Sequence, residues 1–190
     1  MSFGFITTDP LLEKAIKETE NTLMFAASTN FSAAEFPPIR FPARYWERVF
    51  SVNVADGRGE PSGSNPPKDR NRQIRNFSFL GEAVGLVNHQ ASDRGNQPRY
   101  GNGSSVATSI ASGIAAVVSG ISRQDAQLKS LAAIESVFGE MSESGPKKGY
   151  RFVAPWQMLS STSKEYKDQM GDICERISKS HRKQTPLSKR

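Results

Sequence analysis

The sequence predicts an α/β domain built on a parallel sheet, and two patterns in its first 60 residues carry that prediction. An apolar segment at residues 1–6 is followed by a helical pattern and then by the continuous apolar run 22–27. Two strands joined in this way lie parallel with a right-handed crossover. A run that is apolar at every position is typical of a strand buried on both faces. A valine-rich segment at residues 49–54 predicts a further strand.

The first helix has recognisable boundaries. Asp9 can cap it, and Pro10 suits its first position. Residues then recur at helical spacing at Leu12, Ala15, Ile16 and Thr19. We therefore expect a helix that runs to about Glu20.

Long connections separate the predicted strands. Residues 28–44 are polar and then proline-rich, which is typical of a loop. Asp56-Gly57 ends the valine-rich strand, and residues 58–75 are so dense in glycine, proline, serine, asparagine and arginine that they predict an exposed loop of unusual length. Residues 77–87 indicate a short strand or hairpin, and residues 89–102 again have the composition of a loop.

The second half of the chain predicts three helices and one brief extended segment. The helices cover residues 105–119, 124–141 and 163–180, and the extended segment covers residues 150–153. The last of these helices is charged and suits the surface. No boundary splits the 190 residues convincingly, so we expect one domain over residues 1–178 and a basic flexible tail over residues 179–190.

The formal net charge of +6 is concentrated in two clusters. Five positive side chains lie in the tail, and a second cluster lies in the loop at residues 68–75. Aromatic residues that could stack on bases are not interleaved with either cluster. These clusters therefore favour solvated charges over a nucleic-acid surface.

Cysteine usage and hydropathy indicate the compartment. Cys174 is the only cysteine, so no intrachain disulfide can form, and residues 1–5 lack the regions of a secretory signal. The longest nearly apolar run, residues 110–118, is much shorter than the ~20 residues that a bilayer requires. We expect a cytoplasmic location without membrane contact. The sequence has no tight carboxylate cluster, so we expect no metal and no other cofactor.

The most informative motif is a glycine turn that leads into an alanine-rich helix, Gly101 to Gly113. It places Ser105 in the first turn, where the helix dipole and unpaired backbone N–H groups favour a nucleophilic hydroxyl. This pattern resembles the nucleophile motif of the subtilisin-like serine peptidases. It departs from that motif at Ser104, where threonine is usual, and at Ser109-Ile110, where a Pro-His pair is usual.

Three further segments match the same family in the right order. Residues 25–30 resemble the strand and turn that deliver the oxyanion-hole asparagine, which is Asn30 here. Residues 41–57 resemble the Pro-Ala-x-Tyr segment, valine strand and aspartate turn that follow it. Residues 1–4 resemble the strand that lines the substrate cleft. Within the family, the forms here look most like fungal intracellular subtilase-like domains.

The resemblance implies a three-layer parallel sheet with helices on both faces, of which the N-terminal part is missing from this sequence. It implies serine-type endopeptidase chemistry, with Ser105 as nucleophile, and Asn30 with the Ser105 backbone N–H as oxyanion donors. Ser2 and Gly4 would line the cleft and bind a peptide or protein substrate.

The aspartate and histidine of the triad are the main departure, because the family carries both upstream of the cleft strand. The two histidines, His89 and His181, lie downstream and outside the usual His-Gly-Thr context, so we expect a surface-loop residue and a tail residue. Cys174, with no neighbouring histidine, is not expected to be a nucleophile. The chain alone is therefore predicted to be inactive and poorly soluble until the missing half of the domain covers its strand edge.

Other readings stay open from the sequence. Ser105 could cap a helix in an unrelated protein, and Asn30 could be an ordinary turn residue. The chain could also be a catalytically dead remnant that acts as a protein-interaction module. Nucleic-acid binding through the tail is a weaker alternative.

Overall fold

The computed structural model describes residues 1–29, 39–66, 76–86, 99–121, 130–143 and 149–157, with residues 171–173, 175–177 and 179. The helices are α1 (Pro10–Glu18), α2 (Ser104–Ile121) and α3 (Leu131–Glu140), and a short 3-10 helix covers Pro155–Gln157. The strands are β1 (Met24–Ala27), β2 (Val49–Ala55), β3 (Phe77–Leu80), β4 (Val84–Leu86), β5 (Arg99–Gly101) and β6 (Arg151–Phe152). No helix in the described part of the chain is long and apolar enough to cross a membrane.

Four strands form a parallel sheet in the order β1-β2-β3-β6. The register sets Phe25 opposite Phe50, Asn53 opposite Ser78, and Ser78 opposite Phe152. A separate antiparallel ribbon pairs β4 with β5. The parallel α/β architecture predicted from the sequence is therefore confirmed.

The main core lies between the sheet and the helices α2 and α3. Phenylalanines from β1, β2 and β3 meet Phe138 of α3, with ring centroids 5.1–6.3 Å apart. Alanines of α2, such as Ala107 and Ala111, are fully buried against the same strands. Each favourable aromatic pair contributes about 0.5–1.5 kcal/mol beyond its buried area.

The opposite face of the sheet is covered by α1, so the helices lie on both faces as expected. Ile16 of α1 packs with Ala26, Val49 and the turn at Phe41 and Ala43. The predicted cap is present, since Asp9 Oδ1 accepts a hydrogen bond from the Leu12 N–H at 2.8 Å. The helix ends at Glu18, slightly earlier than predicted.

Arg48 explains where α1 ends. Its Nη2 donates to the carbonyl oxygens of Lys17 and Thr19, at 3.3 and 2.5 Å, and satisfies carbonyls that the last helical turn leaves unpaired. The Thr19 hydroxyl donates to the carbonyl of Ala15 at 2.7 Å. The chain can therefore leave the helix two residues before Glu20.

The predicted parallel strand at residues 1–6 forms only at its first residue. The Met1 nitrogen donates to the Phe25 carbonyl at 2.5 Å, and the Met1 carbonyl accepts from the Ala27 N–H at 3.0 Å, which is parallel pairing around Ala26. The segment then leaves the sheet, and Phe5 pairs antiparallel with Phe41. The prediction of a full strand was wrong because the turn at Phe41 offers Phe5 a different partner.

The long loop after β2 is less exposed than its composition predicted. Asn65 is buried and its side-chain amide binds both backbone groups of Val54, at 2.8 Å to the N–H and 2.7 Å to the carbonyl. The Tyr150 hydroxyl donates to the Pro66 carbonyl, and burial raises the pKa of Tyr150 to about 12. Asn65 and Pro66 are therefore buried against the sheet, whereas Arg58, Glu60 and Gly63 are exposed and residues 67–75 lie outside the described part.

The remaining predictions are met in part. Residues 77–86 form β3 and β4, but these strands belong to different sheets, so they are not a hairpin. Within the predicted helix at residues 124–141, the structure describes α3. Ser130 caps the start of α3, because its hydroxyl oxygen accepts a hydrogen bond from the Ala133 N–H at 3.2 Å. Most of the predicted C-terminal helix and nearly all of the tail lie outside the described residues.

Candidate active site

Ser105 lies at the start of α2, directly after a turn whose backbone requires glycine. Gly103 has φ +112°, a value that L side chains rarely adopt. Its N–H donates to the Gly81 carbonyl at 2.7 Å, which ties the turn to the end of β3. Its carbonyl accepts from Val106 and Ala107 at 3.1 and 3.2 Å and opens the helix. Gly103 therefore fixes the position of the first turn of α2 relative to the end of β3.

Gly81 allows α2 to approach the sheet closely. A Cβ at this position would lie 2.9 Å from the Ala107 Cβ and 3.0 Å from the Gly103 carbonyl oxygen. Asn102 adds a second tie, because its Oδ1 accepts from the Ala83 N–H at 2.7 Å. Sequence reasoning missed Gly81, although a glycine directly after a strand is a recognised signal of close backbone approach.

The Ser105 hydroxyl faces the chain segment that was predicted to line a substrate cleft. Ser105 Oγ donates to the Ser2 carbonyl oxygen at 3.3 Å, although the two residues are 103 positions apart in sequence. Ser104 beside it is buried, whereas Ser105 is partly accessible. The structure therefore brings Ser105 and Ser2 together at an open surface.

The segment at residues 2–8 is held against the turn at residues 40–44. Phe5 and Phe41 exchange two backbone hydrogen bonds of 2.8 and 3.0 Å. A Cβ on Gly4 would lie 2.8 Å from the Arg40 Cβ, so a side chain at Gly4 would push the two segments apart.

Arg44 clamps the same segment further along. Its guanidinium donates to the Ile6 carbonyl at 2.9 Å and to the Thr8 hydroxyl at 2.6 Å. Arg44 lies within the segment that resembles the family, but sequence reasoning gave it no role. No sequence signal could have assigned one, because its partners are 36 and 38 residues away.

Four residues considered for chemistry, Asn30, His89, Cys174 and His181, lie outside the described residues. The structure does describe the chain up to Thr29, directly before Asn30. The Ser28 N–H donates to the Val52 carbonyl at 3.0 Å, so the hydrogen bonding between β1 and β2 continues to Ser28. Because β1 and β3 are parallel, Thr29 and Gly81 both follow the carboxyl edge of the sheet, where α/β proteins place their ligand sites.

An open groove of about 590 Å³ lies between the β1 edge and α2. It is lined mainly by aliphatic and small side chains, from Met1, residues 21–25, Ser112, Ala115, Ala116 and Ser119. Val117 on the neighbouring surface of α2 is 53% exposed. Within the described residues, the backbone of β1 beyond Met1 therefore has a free edge beside an apolar helix surface.

Among the described residues, no group of three or more histidine, cysteine, aspartate or glutamate side chains could hold a metal ion.

No protein-family model matches the sequence, and no curated protein matches it. Solved structures do match. The prenylagaramide maturation protease PagA matches with a TM-score of 0.54 at 21% identity, over 92% of this chain and 58% of that chain. A serine-to-alanine mutant of the protease domain of PatA matches with a TM-score of 0.58 at 17% identity, over 95% of this chain and 59% of that chain.

These matches and the parallel sheet flanked by helices confirm the subtilisin-like fold class. Both solved proteins are proteases, so the fold is one that supports peptidase chemistry. The chain spans about three-fifths of the length of either protein.

Proposed function

We propose that this chain is the nucleophile-bearing part of a subtilisin-like serine endopeptidase domain. One observation carries the proposal. The hydroxyl of Ser105, at the start of α2, lies 3.3 Å from the carbonyl oxygen of Ser2. The family resemblance assigns one residue to nucleophilic attack and the other to the substrate cleft.

Catalysis would begin with attack of Ser105 Oγ on the scissile carbonyl carbon. The carbonyl oxygen becomes an oxyanion, which the Ser105 backbone N–H and the Asn30 side-chain N–H would stabilise. Gly103 and Gly81 hold the Ser105 N–H in a fixed position before the substrate arrives. Such preorganised donors are effective because they need no reorientation as charge develops.

The hydroxyl proton of Ser105 needs an acceptor, because a serine hydroxyl is a poor nucleophile until a base removes its proton. Neither His89 nor His181 has the sequence context of the family's base. We propose that the base and its aspartate belong to a part of the domain outside this sequence. The chain alone would then retain at most the ~10³–10⁴ rate advantage over water that oxyanion donors and substrate binding give.

The groove beside β1 is the surface on which we place the rest of the domain. Met1 already pairs with β1 in the parallel sense, and a strand that extends this pairing would run along residues 21–25. Apolar side chains of such a strand would cover Ala115 and Ala116 of α2. The partly exposed edge and groove are consistent with a chain that needs this partner.

The substrate we propose is a peptide or protein segment laid along residues 2–4. One of the structurally similar proteins is a maturation protease, which supports a peptide substrate for this fold. The narrower relation to fungal intracellular subtilase-like domains, and the cytoplasmic location, stay predictions from sequence.

The test compares this chain with the longer polypeptide that its gene encodes. We expect the coding sequence upstream of Met1 to contain an aspartate motif and a His-Gly-Thr motif. We expect that longer polypeptide to hydrolyse unstructured peptides, and its Ser105→Ala variant to be inactive.

A stop codon directly upstream, or an inactive longer polypeptide that still binds a protein partner, would contradict the proposal. Either result would favour the catalytically dead interaction module. Steeply salt-dependent DNA binding that disappears when residues 179–190 are deleted would instead favour the nucleic-acid alternative.

A further inference from the structure

A row of polar side chains crosses the middle of the parallel sheet on the face that α1 covers. Asn53 of β2 is directly opposite Ser78 of β3. Ser28 follows Ala27, which pairs with Val52, so Ser28 is opposite Asn53 on the other side. We call these three residues, Ser28, Asn53 and Ser78, the polar row.

The polar row is deeply buried. Ser28 and Ser78 are 0% exposed and Asn53 is 3% exposed. Apolar side chains pack on both sides of it along the strands. Ala26 and Val49 belong to the cluster under α1, and Ala55 and Phe152 belong to a cluster at the other end.

Among the residues that the structure describes, three oxygen atoms of the polar row have no hydrogen-bond partner. They are the hydroxyl oxygens of Ser28 and Ser78 and the Oδ1 of Asn53. Buried polar atoms in native proteins nearly always have a partner, and each unsatisfied one is costly. Three such atoms on adjacent strands indicate that a small polar molecule belongs between them.

The orientation of Asn53 shows what kind of molecule fits. Asn53 Nδ2 donates to the Phe77 carbonyl at 2.9 Å, so its Oδ1 is the atom that remains without a partner. This oxygen can accept two hydrogen bonds. The occupant must therefore donate to Asn53 and also reach a serine hydroxyl.

Water satisfies these requirements. Neighbouring strands are about 4.8 Å apart, and neither serine hydroxyl bonds Asn53 Oδ1 directly. A water molecule between two strands can donate to Asn53 Oδ1 and also bond a serine hydroxyl. The polar row carries no formal charge, which gives no reason to expect a metal ion or an anion.

We propose that ordered water molecules bind in the polar row and bridge Ser28 to Asn53 and Asn53 to Ser78. The bridges connect the end of β1 with β2 and β3, between the apolar cluster under α1 and the cluster at Ala55 and Phe152. Ser28 lies two residues before Asn30, so this hydrated site also anchors the end of β1.

The first test is a thermal unfolding series on the longest natural polypeptide that contains this chain. If water bridges the polar row, Ser28→Ala and Ser78→Ala each break a bridge and lower Tm by about 2–4 °C. If the site is empty, each substitution removes an unsatisfied hydroxyl and raises Tm. Ser109→Ala, an exposed serine on α2, is the matched control and should change Tm little.

The double variant tests the connection between the strands. Ser28 and Ser78 are two strand spacings apart, about 10 Å, so without a bridge their effects should add. Each single variant leaves Asn53 Oδ1 one bridging water and the double variant leaves it none, so a Tm loss in Ser28→Ala/Ser78→Ala that is clearly larger than the sum supports the bridges. Additive effects would overturn the proposal.

A high-resolution crystal structure provides a readout that does not depend on stability or peptidase activity. We expect solvent density within hydrogen-bond distance of Asn53 Oδ1 and of at least one serine hydroxyl. A protein side chain in that position, or no density, would overturn the proposal. Because none of these three tests uses catalysis, failure here is distinguishable from failure of the proposed peptidase function.

Discussion

The turn before Ser105 and the edge of β1 differ in how many of their backbone groups are bound to neighbouring elements. At the turn, Gly103, Gly81 and Asn102 are joined by hydrogen bonds or tight contacts to neighbouring elements. At the β1 edge, pairing within the described residues stops at Met1, and an apolar groove lies open beside α2. Under the proposed function, this difference means that the positioning of Ser105 and its activation as a nucleophile depend on different parts of the domain.

Loss of the Ser105 hydroxyl should have the largest effect on peptide hydrolysis. Ser105→Ala in the longer polypeptide should lower kcat for peptide hydrolysis by about 10⁶, because the nucleophile and base act as one unit. Steady-state hydrolysis of a fluorogenic peptide measures it, with Ser109→Ala as the control on the same helix. Substantial activity in Ser105→Ala would assign the chemistry to another residue.

Loss of the proposed side-chain donor should have the next largest effect. Asn30→Ala in the longer polypeptide should lower kcat by about 10²–10³ with a small change in KM, because the donor acts mainly on the transition state. The measurement is a Michaelis–Menten comparison with the parent protein. An unchanged kcat would make Asn30 an ordinary turn residue.

A charge placed in the open groove tests whether another strand covers the edge of β1. Ala116→Arg should leave the fold of this chain nearly unaffected, since Ala116 is exposed here. In the longer polypeptide it should lower activity by about 10²-fold, because a partner strand would bury the guanidinium without a counter-charge. Ala132→Arg, at an exposed position on α3, is the control, and equal effects of both would show that the groove stays open.

The smallest expected effects concern two glycines of α2 and its turn. Gly103→Ala should destabilise the longer polypeptide by about 1–3 kcal/mol, because its φ of +112° is strained for alanine. Gly113→Ala should instead stabilise it by about 0.5–1 kcal/mol, since a Cβ there meets nothing within 4 Å and alanine favours helix. Urea unfolding measures both free energies of unfolding, and a Gly103→Ala variant as stable as the parent would refute the structural role of the turn.

The sequence predicted the elements whose signals are local. The cap at Asp9, the valine-rich strand and the glycine turn before Ser105 all follow from neighbouring residues, and the structure contains each of them. The continuous apolar run at residues 22–27 predicted a strand buried on both faces, and the structure has Phe25 in the main core and Ala26 in the cluster under α1.

Long-range partners explain what the sequence could not predict. Residues 1–6 have the composition of a strand, but Phe5 pairs with Phe41, which no local pattern reveals. Asn65 lies in a segment with the composition of an exposed loop, yet it is buried because its amide binds Val54. The clamp from Arg44 to Ile6 depends on the same kind of distant contact.

Covalent labelling by a fluorophosphonate tests the proposal that Ser105 is a nucleophile whose base lies outside this chain. The site of modification is mapped by mass spectrometry in this chain and in the longer polypeptide. We expect rapid labelling at Ser105 in the longer polypeptide and none above background in this chain. Strong labelling of Ser105 in this chain alone, or labelling of a different serine in the longer polypeptide, would contradict it.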